Sequence, residues 1–385
     1  MQYRGRPYEG INGKVRRTVD RGVPQGSVLG PLLWNVGYNT VLEAALPKGV
    51  FVTCYAADTL LLACGKDWSR TIRLMEAGLE AVVRKITSLG LEVATNKTES
   101  SWFHGLPQNR SPPESWIAVR DDRIKVGTTI KYLGLVLDGR LNFETHFAQL
   151  APRVEKVALS LDRMLPNIGV PKESVRRLYT AITQSMMLYG APVWARRRQM
   201  TRRNIKTLRS VQRRMVLRTI RAYRIVSTEA ALTLAGMTPF DHLSRAYAET
   251  YWGSCGSEDQ GQVPASEQEN LKQRAILRAR SRWKRELQRP RAARKRAIEA
   301  VMPSWERWME AGPALLTFRV TQVLTPYGCF GEYLRKIGAE QTTACHHCDA
   351  GLDSAKHTTE ECKAFEVQRA KLTSRSLGTT CHRRH

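Results

Sequence analysis

The chain has 385 residues and carries 61 Lys and Arg against 35 Asp and Glu, which gives a formal net charge of +26. This length allows two or three domains with cores of their own. This charge favours a polyanionic partner, with nucleic acid as the first candidate. The sequence has no secretory apolar segment after Met1 and no run long enough to cross a bilayer. We therefore expect no membrane partner.

Two blocks of the sequence concentrate the positive charge. Residues 196–224 contain twelve Arg and Lys and no acid, and residues 272–296 contain another twelve against Glu286 alone. Phosphate contacts on this scale would make binding strongly salt-dependent. The alternative is a solvated helix face. The clustering favours nucleic-acid binding.

The first predicted element in the chain is a helix that follows a loop rich in Gly and Pro, within residues 22–46. Ser27 is predicted as the N-cap, because its side chain can accept a hydrogen bond from the first turn. Pro31 lies early enough for that first turn to tolerate it.

A hairpin and a second helix are predicted next. Residues 50–64, VFVTCYAADTLLLAC, consist of two apolar runs around a tight break, which predicts a β-hairpin with Asp58 at its tip. Apolar residues recur at helical spacing through residues 69–89, and Gly90 follows them. This spacing predicts an amphipathic helix that ends at the glycine.

Short strands are predicted at residues 91–94 and 100–105, and a strand pair is predicted within residues 130–138. From about residue 148 to 250 the pattern becomes helical and basic, and residues 256–270 have the polar composition of a linker.

The C-terminal segment has the composition of a metal site. Four potential ligands occur as C-x2-C-x8-H-x4-C: Cys345, Cys348, His357 and Cys362. Three thiolates and one imidazole predict a closed structural zinc site with no position free for a water nucleophile. The metal would supply folding energy on the order of 10 kcal/mol to so small a segment. His346 and His347 remain alternatives to His357, and scattered cysteines with a surface histidine are the simpler interpretation. Nucleic-acid contact is the expected use.

Four motifs occur in the order and spacing of a polymerase palm: GVPQGSVLGPLLWN, CYAADTLLL, GLEVATNKTES and IKYLGLVLD. Two later segments, RMVLRTIRAYRIVSTEAALTLAGMTP and VLTPYGCFGEYLRK, precede the cysteine cluster. Together these motifs resemble the reverse transcriptases of non-LTR (LINE-like) retrotransposons over nearly the whole chain.

The resemblance implies an α+β fold in four parts. We expect a partial palm of antiparallel sheet with helices at 1–147, a helical thumb at 148–250, a basic helical connector at 251–340, and a zinc knuckle with a tail at 341–385.

The resemblance also implies roles for matched residues. Four residues match the loop that lies against the template and the incoming nucleotide: Pro24, Gln25, Gly26 and Ser27. Asp58 matches a hairpin carboxylate, and Lys97 matches the basic residue that neutralises the leaving pyrophosphate. Residues 131–137 match the strand pair that grips the primer. Without the family, these residues would be interpreted as a helix start, a solvated lysine and core strands.

The implied reaction is RNA-templated DNA synthesis from dNTPs with two Mg²⁺ ions. The implied partners are an RNA template and a DNA primer or target. The implied location is the nucleus, with a cytoplasmic ribonucleoprotein as a second location.

The chain departs from the family at the metal site. The family has two aspartates at the hairpin tip, whereas this chain has Ala57 before Asp58, and a methyl group cannot bind Mg²⁺. The family's other metal aspartate lies on an upstream strand, and residues 1–21 contain only Glu9 and Asp20 as acids. We therefore expect a palm that lacks a strand and carries out no useful DNA synthesis. The alternative function is RNA or DNA binding without chemistry.

Overall fold

The computed structural model describes residues 3–4, 8–10, 13–15, 18–19, 22–23, 26–107, 110–162, 173–195, 200–255, 263–290, 295–311 and 316–381. The chain divides into two compact units, unit 1 at Met1–Leu141 and unit 2 at Asn142–His385. Unit 1 combines strands and helices, and the regular elements among the described residues of unit 2 are helices. The predicted α+β class is therefore confirmed.

The strands of unit 1 are short and mostly form two-stranded sheets. Their bounds are β1 Tyr3–Arg4, β2 Tyr8–Gly10, β3 Gly13–Val15, β4 Thr18–Val19, β5 Val50–Tyr55, β6 Asp58–Ala63, β7 Ser100–Ser101, β8 Trp116–Val119, β9 Asp122–Gly127, β10 Thr129–Tyr132 and β11 Leu135–Asp138. Four pairs are antiparallel: β1–β4, β2–β3, β5–β6 and β10–β11. In the remaining sheet, β9 lies between antiparallel β8 and parallel β7.

The first helix, α1 (Gly30–Leu42), begins differently from the prediction. Its N-cap is Leu29, which makes no side-chain capping bond, so the prediction of Ser27 as N-cap is wrong. The carbonyl of Ser27 instead accepts a hydrogen bond from the Gly30 amide at 3.2 Å. Pro31 lies in the first turn as predicted. The local pattern located this helix but not its capping residue.

The predicted hairpin at residues 50–64 is confirmed as β5 and β6. Tyr55 and Asp58 are paired directly, which leaves Ala56 and Ala57 as a two-residue turn. Ala56 has a φ of 52°, a left-handed conformation that costs a non-glycine residue some strain. The tip therefore presents two methyl groups, and Asp58 begins the second strand.

The second helix, α2 (Trp68–Ser88), holds unit 1 together. Its N-cap Asp67 accepts a hydrogen bond from the Arg70 amide at 2.7 Å, and Gly90 follows its end with a φ of 73°. One side of α2 joins a core with α1 and the hairpin, formed by Tyr38, Val41, Val82 and Ile86. Another side packs on a core from the β7–β9–β8 sheet, formed by Trp102, Ile117, Val119 and Val126.

The strand predictions downstream of α2 hold only in part. Residues 91–94 form no strand, and a short 3-10 turn follows them at Thr95–Lys97. Of the strand predicted at 100–105, only Ser100–Ser101 pairs with another strand. The strand pair within 130–138 is confirmed as β10 and β11. The β8–β9 hairpin was not predicted, since its sequence lacks the usual Asn-Gly type of turn.

Unit 2 is built from helices of very different lengths. Their bounds are α3 Glu144–Asp162, α4 Glu173–Leu188, α5 Ala191–Trp194, α6 Arg202–Thr219, α7 Thr228–Leu234, α8 Phe240–Ser254, α9 Ala265–Leu287, α10 Arg296–Val301, α11 Trp305–Ala311, α12 Phe318–Leu324, α13 Gly331–Lys336 and α14 Glu366–Cys381. The main core joins residues distant in sequence, including Ile220, Leu232, Trp283 and Trp305. No described helix is long and apolar enough to span a membrane.

The predicted linker at 256–270 is wrong in its second half. Helix α9 begins at Ala265 after Pro264, and residues 256–262 lie outside the described residues. The polar sequence after Pro264 contains good helix formers, which is why it continues into the basic helix. The predicted domain boundaries at 147/148 and 250/251 fall inside α3 and α8, and the four-part division stays a prediction.

Candidate active site and metal centre

A cavity of about 580 Å³ lies beside the hairpin tip in unit 1. Asp58 and Lys97 both line this cavity, and so does Tyr132 from β10. The structure thus brings the two predicted catalytic residues together with part of the predicted primer strand pair. Asp58 and Lys97 are both exposed.

Inside this cavity, the charge of a β6 residue changes the pKa of a β10 residue. Burial and the negative charge of Asp58 both raise the pKa of Tyr132. The Tyr38 hydroxyl lies 2.7 Å from the Thr59 hydroxyl, which ties α1 to the beginning of β6. Burial raises the pKa of Tyr38 as well. Both phenols therefore stay protonated and can act as hydrogen-bond donors near Asp58 at neutral pH.

The carboxylates around the cavity do not form a cluster. Besides Asp58, the acids that line it are Glu92 and Glu99, and Glu99 accepts a hydrogen bond from the Lys131 amide at 2.8 Å. Among the described residues, unit 1 contains no group of three His, Cys, Asp or Glu side chains close enough to hold one metal ion. The described residues therefore do not fit a site for two Mg²⁺ ions, which needs convergent carboxylates.

The predicted substrate loop is only partly described. Gly26 and Ser27 precede α1 and do not line the cavity beside Asp58, and Pro24 and Gln25 lie outside the described residues. The role of this loop in template and nucleotide binding stays a prediction.

The four predicted zinc ligands meet in unit 2. The ligand atoms of Cys345, Cys348, His357 and Cys362 all lie within 4.8 Å of one another. The Sγ atoms of Cys345 and Cys362 are 4.0 Å apart, and Cys348 Sγ is 3.3 Å from His357 Nε2. A tetrahedral zinc ion with Zn–S bonds of about 2.3 Å would place its sulfur ligands about 3.8 Å apart. The cluster therefore fits a zinc ion after small side-chain shifts that draw together ligand atoms now within 4.8 Å of one another.

The structure also separates His357 from the two alternative histidines. The ring of His346 lies 3.0 Å from a carboxylate oxygen of Glu340, and the ring of His347 packs edge-on against Phe365 at 5.0 Å. His357 is buried, whereas His346 and His347 are exposed. The Nδ1 atom of His357 lies 4.0 Å from a carboxylate oxygen of Glu361, which is beyond hydrogen-bond distance.

The segment that carries the four ligands is fastened to the helices of unit 2. The buried Asp353 accepts hydrogen bonds from the Gly331 amide at 3.1 Å and from the Thr358 hydroxyl at 2.7 Å. Arg296 of α10 donates to Thr359 and to Glu360 at 3.1 and 2.9 Å. Sequence reasoning missed Asp353 and Arg296, because neither is a ligand and each bonds to a partner distant in sequence, Gly331 and Glu360 respectively.

Some arginines of the first basic block bond to groups inside unit 2. In α6, Arg209 donates two hydrogen bonds of 2.8 Å to the buried Asp241, and Arg213 donates to main-chain carbonyls of Val226 and Arg224. Burial alone would lower the pKa of Arg209, but its hydrogen bonds to Asp241 and the negative charge of that carboxylate raise it. Arg202, Arg203 and Lys206 at the start of α6 remain exposed.

The second basic block leaves more cations at the surface. In α9, Arg278 and Arg282 both pair with Glu249, and Lys284 pairs with Glu306. Arg285 and Arg289 are exposed and form no ion pair with a described residue. These two arginines are therefore available for phosphate groups.

Comparison with known proteins supports the sequence motifs. Residues 6–137 match the family described as reverse transcriptase (RNA-dependent DNA polymerase). The chain is thus similar to the reverse transcriptases of LINE-like elements, and the family match covers residues 6–137. The family match contains β5, β6 and the cavity beside them, so the candidate active site lies in the polymerase-like part of this reverse transcriptase relative.

Three relatives extend the similarity into unit 2. The retrovirus-related Pol polyprotein from type-1 retrotransposable element R1 of Bradysia coprophila is 26% identical over 93% of this chain and 36% of its own length. The putative 115 kDa protein in type-1 retrotransposable element R1DM of Drosophila melanogaster is 28% identical over 87% of this chain and 33% of its own length.

A shorter relative, the retrovirus-related Pol polyprotein from type-1 retrotransposable element R1 2 of Nasonia vitripennis, is 24% identical over 90% of this chain and 86% of its own length. This reverse transcriptase relative thus spans about a third of the length of the first two proteins. No solved structure matches it significantly.

Proposed function

We propose that this chain is a nucleic-acid-binding member of the LINE-like reverse transcriptase group that does not extend primers by itself. The observation that carries the proposal is the hairpin tip, where Ala56 and Ala57 form the turn and Asp58 is the only carboxylate. Each tenfold loss in rate corresponds to about 1.4 kcal/mol of transition-state stabilisation. Loss of a carboxylate that bridges two ions would remove several such factors.

A primer-extension assay tests this proposal. The chain is incubated with an oligo(dT)-primed poly(rA) template and dTTP, in Mg²⁺ and separately in Mn²⁺. We expect the wild-type chain to incorporate no more nucleotide than Asp58→Ala. Extension by the wild type that Asp58→Ala abolishes would instead establish the second candidate function, RNA-directed DNA polymerase, which the names of the matched family and relatives favour.

Binding of RNA template and DNA primer is the remaining activity that we propose. Arg285 and Arg289 are exposed on or just beyond α9, and Arg202, Arg203 and Lys206 are exposed at the start of α6. Each phosphate contact contributes about 0.7–0.9 to the slope of log K against log salt. Arg285→Gln with Arg289→Gln should therefore weaken RNA binding and flatten its salt dependence.

Arg282→Gln is the matched control, because Arg282 lies on the same helix but pairs with Glu249 at 2.8 Å. An unchanged salt slope in the double variant would remove this surface from the proposed interface. Binding would be measured by fluorescence anisotropy of a labelled single-stranded RNA at several salt concentrations.

The four-ligand cluster would hold one structural zinc ion in this function. The ion would keep the knuckle folded, while the chain's own Asp353 and Arg296 orient the knuckle against α13 and α10. Because all four positions of a tetrahedron are taken, we assign no catalytic role to this centre. We propose the nucleus as the location, which a fluorescent fusion of the whole chain would test.

A further inference from the structure

The exposed aromatic side chains of unit 2 lie close to one another. In the described part of this unit, the large aromatic side chains that are exposed are Tyr189, Tyr247, Tyr251 and Trp252. Three of them lie on α8, and Tyr189 lies two residues before α5, which packs against α8. A group of exposed rings on one part of a surface is typical of a binding surface.

The ring of Trp252 is held in place although it is 45% exposed. Its indole Nε1 donates to the Pro192 carbonyl at 2.9 Å. The ring of Tyr251 meets it edge-on, with ring centroids 5.2 Å apart and ring planes at 90°. Because the exposed indole is already fixed, it loses little conformational entropy when a flat partner stacks on it.

The neighbouring helix α9 carries a stripe of arginines. Residues three or four positions apart share one face of a helix, and this spacing is followed by Arg274, Arg278, Arg282, Arg285 and Arg289. From Arg274 to Arg285 the stripe is about 16 Å long. Residues 274–289 contain seven Arg and Lys against Glu286 alone. The arginine stripe therefore concentrates positive charge along one side of α9.

Ion pairs place Trp252 beside the arginine stripe. Glu249 of α8 pairs with Arg278 at 3.3 Å and with Arg282 at 2.8 Å. Trp252 follows Glu249 by three residues and Arg245 precedes it by four, so all three lie on the side of α8 that borders the stripe. Arg245 is exposed and forms no ion pair with a described residue. The surface therefore combines a fixed aromatic ring with a row of cations.

We propose that this surface of α8 and α9 binds a single-stranded nucleic acid, with phosphates on the arginine stripe and an unpaired base stacked on Trp252. A row of guanidinium groups beside a fixed indole suits a partner that carries both phosphates and flat rings. The base has to be unpaired, because the bases of a duplex are stacked on one another and hidden from an aromatic side chain. The inference rests on the nucleic-acid binding proposed above, and it adds the form of the nucleic acid and the residue that contacts its bases.

The test compares two fluorescein-labelled strands of about 12 nucleotides, which is within the usual footprint of single-strand-binding proteins. One strand is oligo(dT), and the other is an abasic strand with the same phosphates and no bases. Fluorescence anisotropy with the whole chain gives both affinities at several salt concentrations. We expect oligo(dT) to bind about tenfold more tightly than the abasic strand, with a similar salt dependence.

Variants of Trp252 locate the base contact. Trp252→Ala should weaken oligo(dT) binding about tenfold and leave binding of the abasic strand unchanged, because a stacking contact is lost while the phosphate contacts remain. Trp252→Phe keeps an aromatic ring and should recover part of the affinity. Trp116→Ala is the matched control, since Trp116 of unit 1 is 48% exposed and lies outside this surface. It should bind both strands normally.

A variant of Glu249 should change binding in the opposite direction. Glu249→Gln frees Arg278 and Arg282 from their ion pairs, so both strands should bind more tightly. The slope of log K against log salt should steepen by about 0.7 for each added phosphate contact. Glu299→Gln is the control, because Glu299 is exposed and pairs with no described residue, and it should change the slope little.

The outcomes separate this proposal from the one on which it rests. If the wild-type chain binds both strands equally, stacking on Trp252 is overturned while nucleic-acid binding stands. If neither strand binds, both proposals fail. An unchanged oligo(dT) affinity in Trp252→Ala, or an unchanged slope in Glu249→Gln, also overturns the proposed surface. The comparison of the two strands needs no variant, so it decides the question even if Trp252→Ala fails to fold.

Discussion

The hairpin site of unit 1 and the metal centre of unit 2 differ in how completely the chain encloses them. Cys345, His357 and Cys362 are buried. Two hydrogen bonds fasten the metal centre to the surrounding helices, one accepted by Asp353 and one donated by Arg296. Around the hairpin, by contrast, Phe51 and Tyr55 are 60% and 66% exposed. Neighbouring segments of this chain enclose the metal centre, whereas among the described residues β6 of the hairpin pairs with β5 alone.

We expect the largest effect from removal of a zinc ligand, which should disrupt the metal centre and leave the hairpin site intact. Cys362→Ser should remove the zinc and unfold the knuckle, since metal binding supplies on the order of 10 kcal/mol to such a segment. Unit 1 should keep its own hydrogen exchange pattern. Metal content by mass spectrometry and exchange across residues 341–366 check the prediction.

Cys255→Ser is the matched control, because Cys255 is exposed in unit 2 and lies outside the cluster. It should keep one zinc per chain. A Cys362→Ser chain that retains a full zinc ion would contradict the ligand assignment.

The second prediction concerns the fastening of the metal centre. Asp353→Ala leaves the Gly331 amide and the Thr358 hydroxyl without their buried charged acceptor, which should cost about 3 kcal/mol. Because Thr358 neighbours His357, zinc release to a chelator should be roughly tenfold faster or more. The exposed Asp349 is in the same knuckle, so Asp349→Ala should change neither quantity. Equal release rates for the two variants would mean that Asp353 does not support the centre.

The third prediction tests how tightly α2 holds the hairpin. A Cβ on Gly78 would lie 2.7 Å from Val50 Cγ1, a buried and rotationally stiff side chain. Gly78→Ala should therefore destabilise unit 1 by about 2 kcal/mol, measured by urea unfolding. Gly37→Ala in α1 meets nothing within 4 Å and should be neutral or stabilise by up to about 1 kcal/mol. Equal effects of the two would show that the hairpin is not packed closely on α2.

The smallest predicted effect is a pH dependence in unit 2. Burial alone would raise the pKa of Glu229, but the hydrogen bond and charge of Lys295, 2.6 Å away, lower it below the ordinary value of 4.5. The stabilisation is therefore present above that ordinary value and is lost as pH falls through the lowered pKa of the folded state.

Glu229→Gln should accordingly lose less stability than the wild type between about pH 6 and pH 3.5. Because Glu229 is half exposed, the difference should be well below 1 kcal/mol. The difference between the two proteins at each pH, taken from urea midpoints, removes contributions that both share, including protonation of the zinc ligands. A larger loss in Glu229→Gln would reverse the assigned direction of the shift.

Local sequence was sufficient where an element is defined by its own residues. The β5–β6 hairpin, α2 and the β10–β11 pair follow from short periodic patterns with clear breaks. The metal cluster follows from the spacing of four ligand types within one short segment. In each case the interacting residues are close in sequence.

Local sequence failed where a distant partner decides the outcome. Residues 91–94 have the composition of a strand but find no ladder partner among the described residues. The arginines of α6 suggested a phosphate surface, yet the partner of Arg209 is Asp241, 32 positions away. Asp353 was missed for the same reason, because its bond to Gly331 depends on how the knuckle packs.

The bond between Arg296 and Glu360 has a consequence for chain entropy. It joins positions 64 residues apart, so this contact of the knuckle closes a long loop of polypeptide. The entropy cost of closing such a loop grows only with the logarithm of the loop length. A zinc-stabilised knuckle keeps Glu360 in position for this contact. Metal loss would therefore open this loop at the knuckle, while α10 and α11 stay packed in the main core through Ile298 and Trp305.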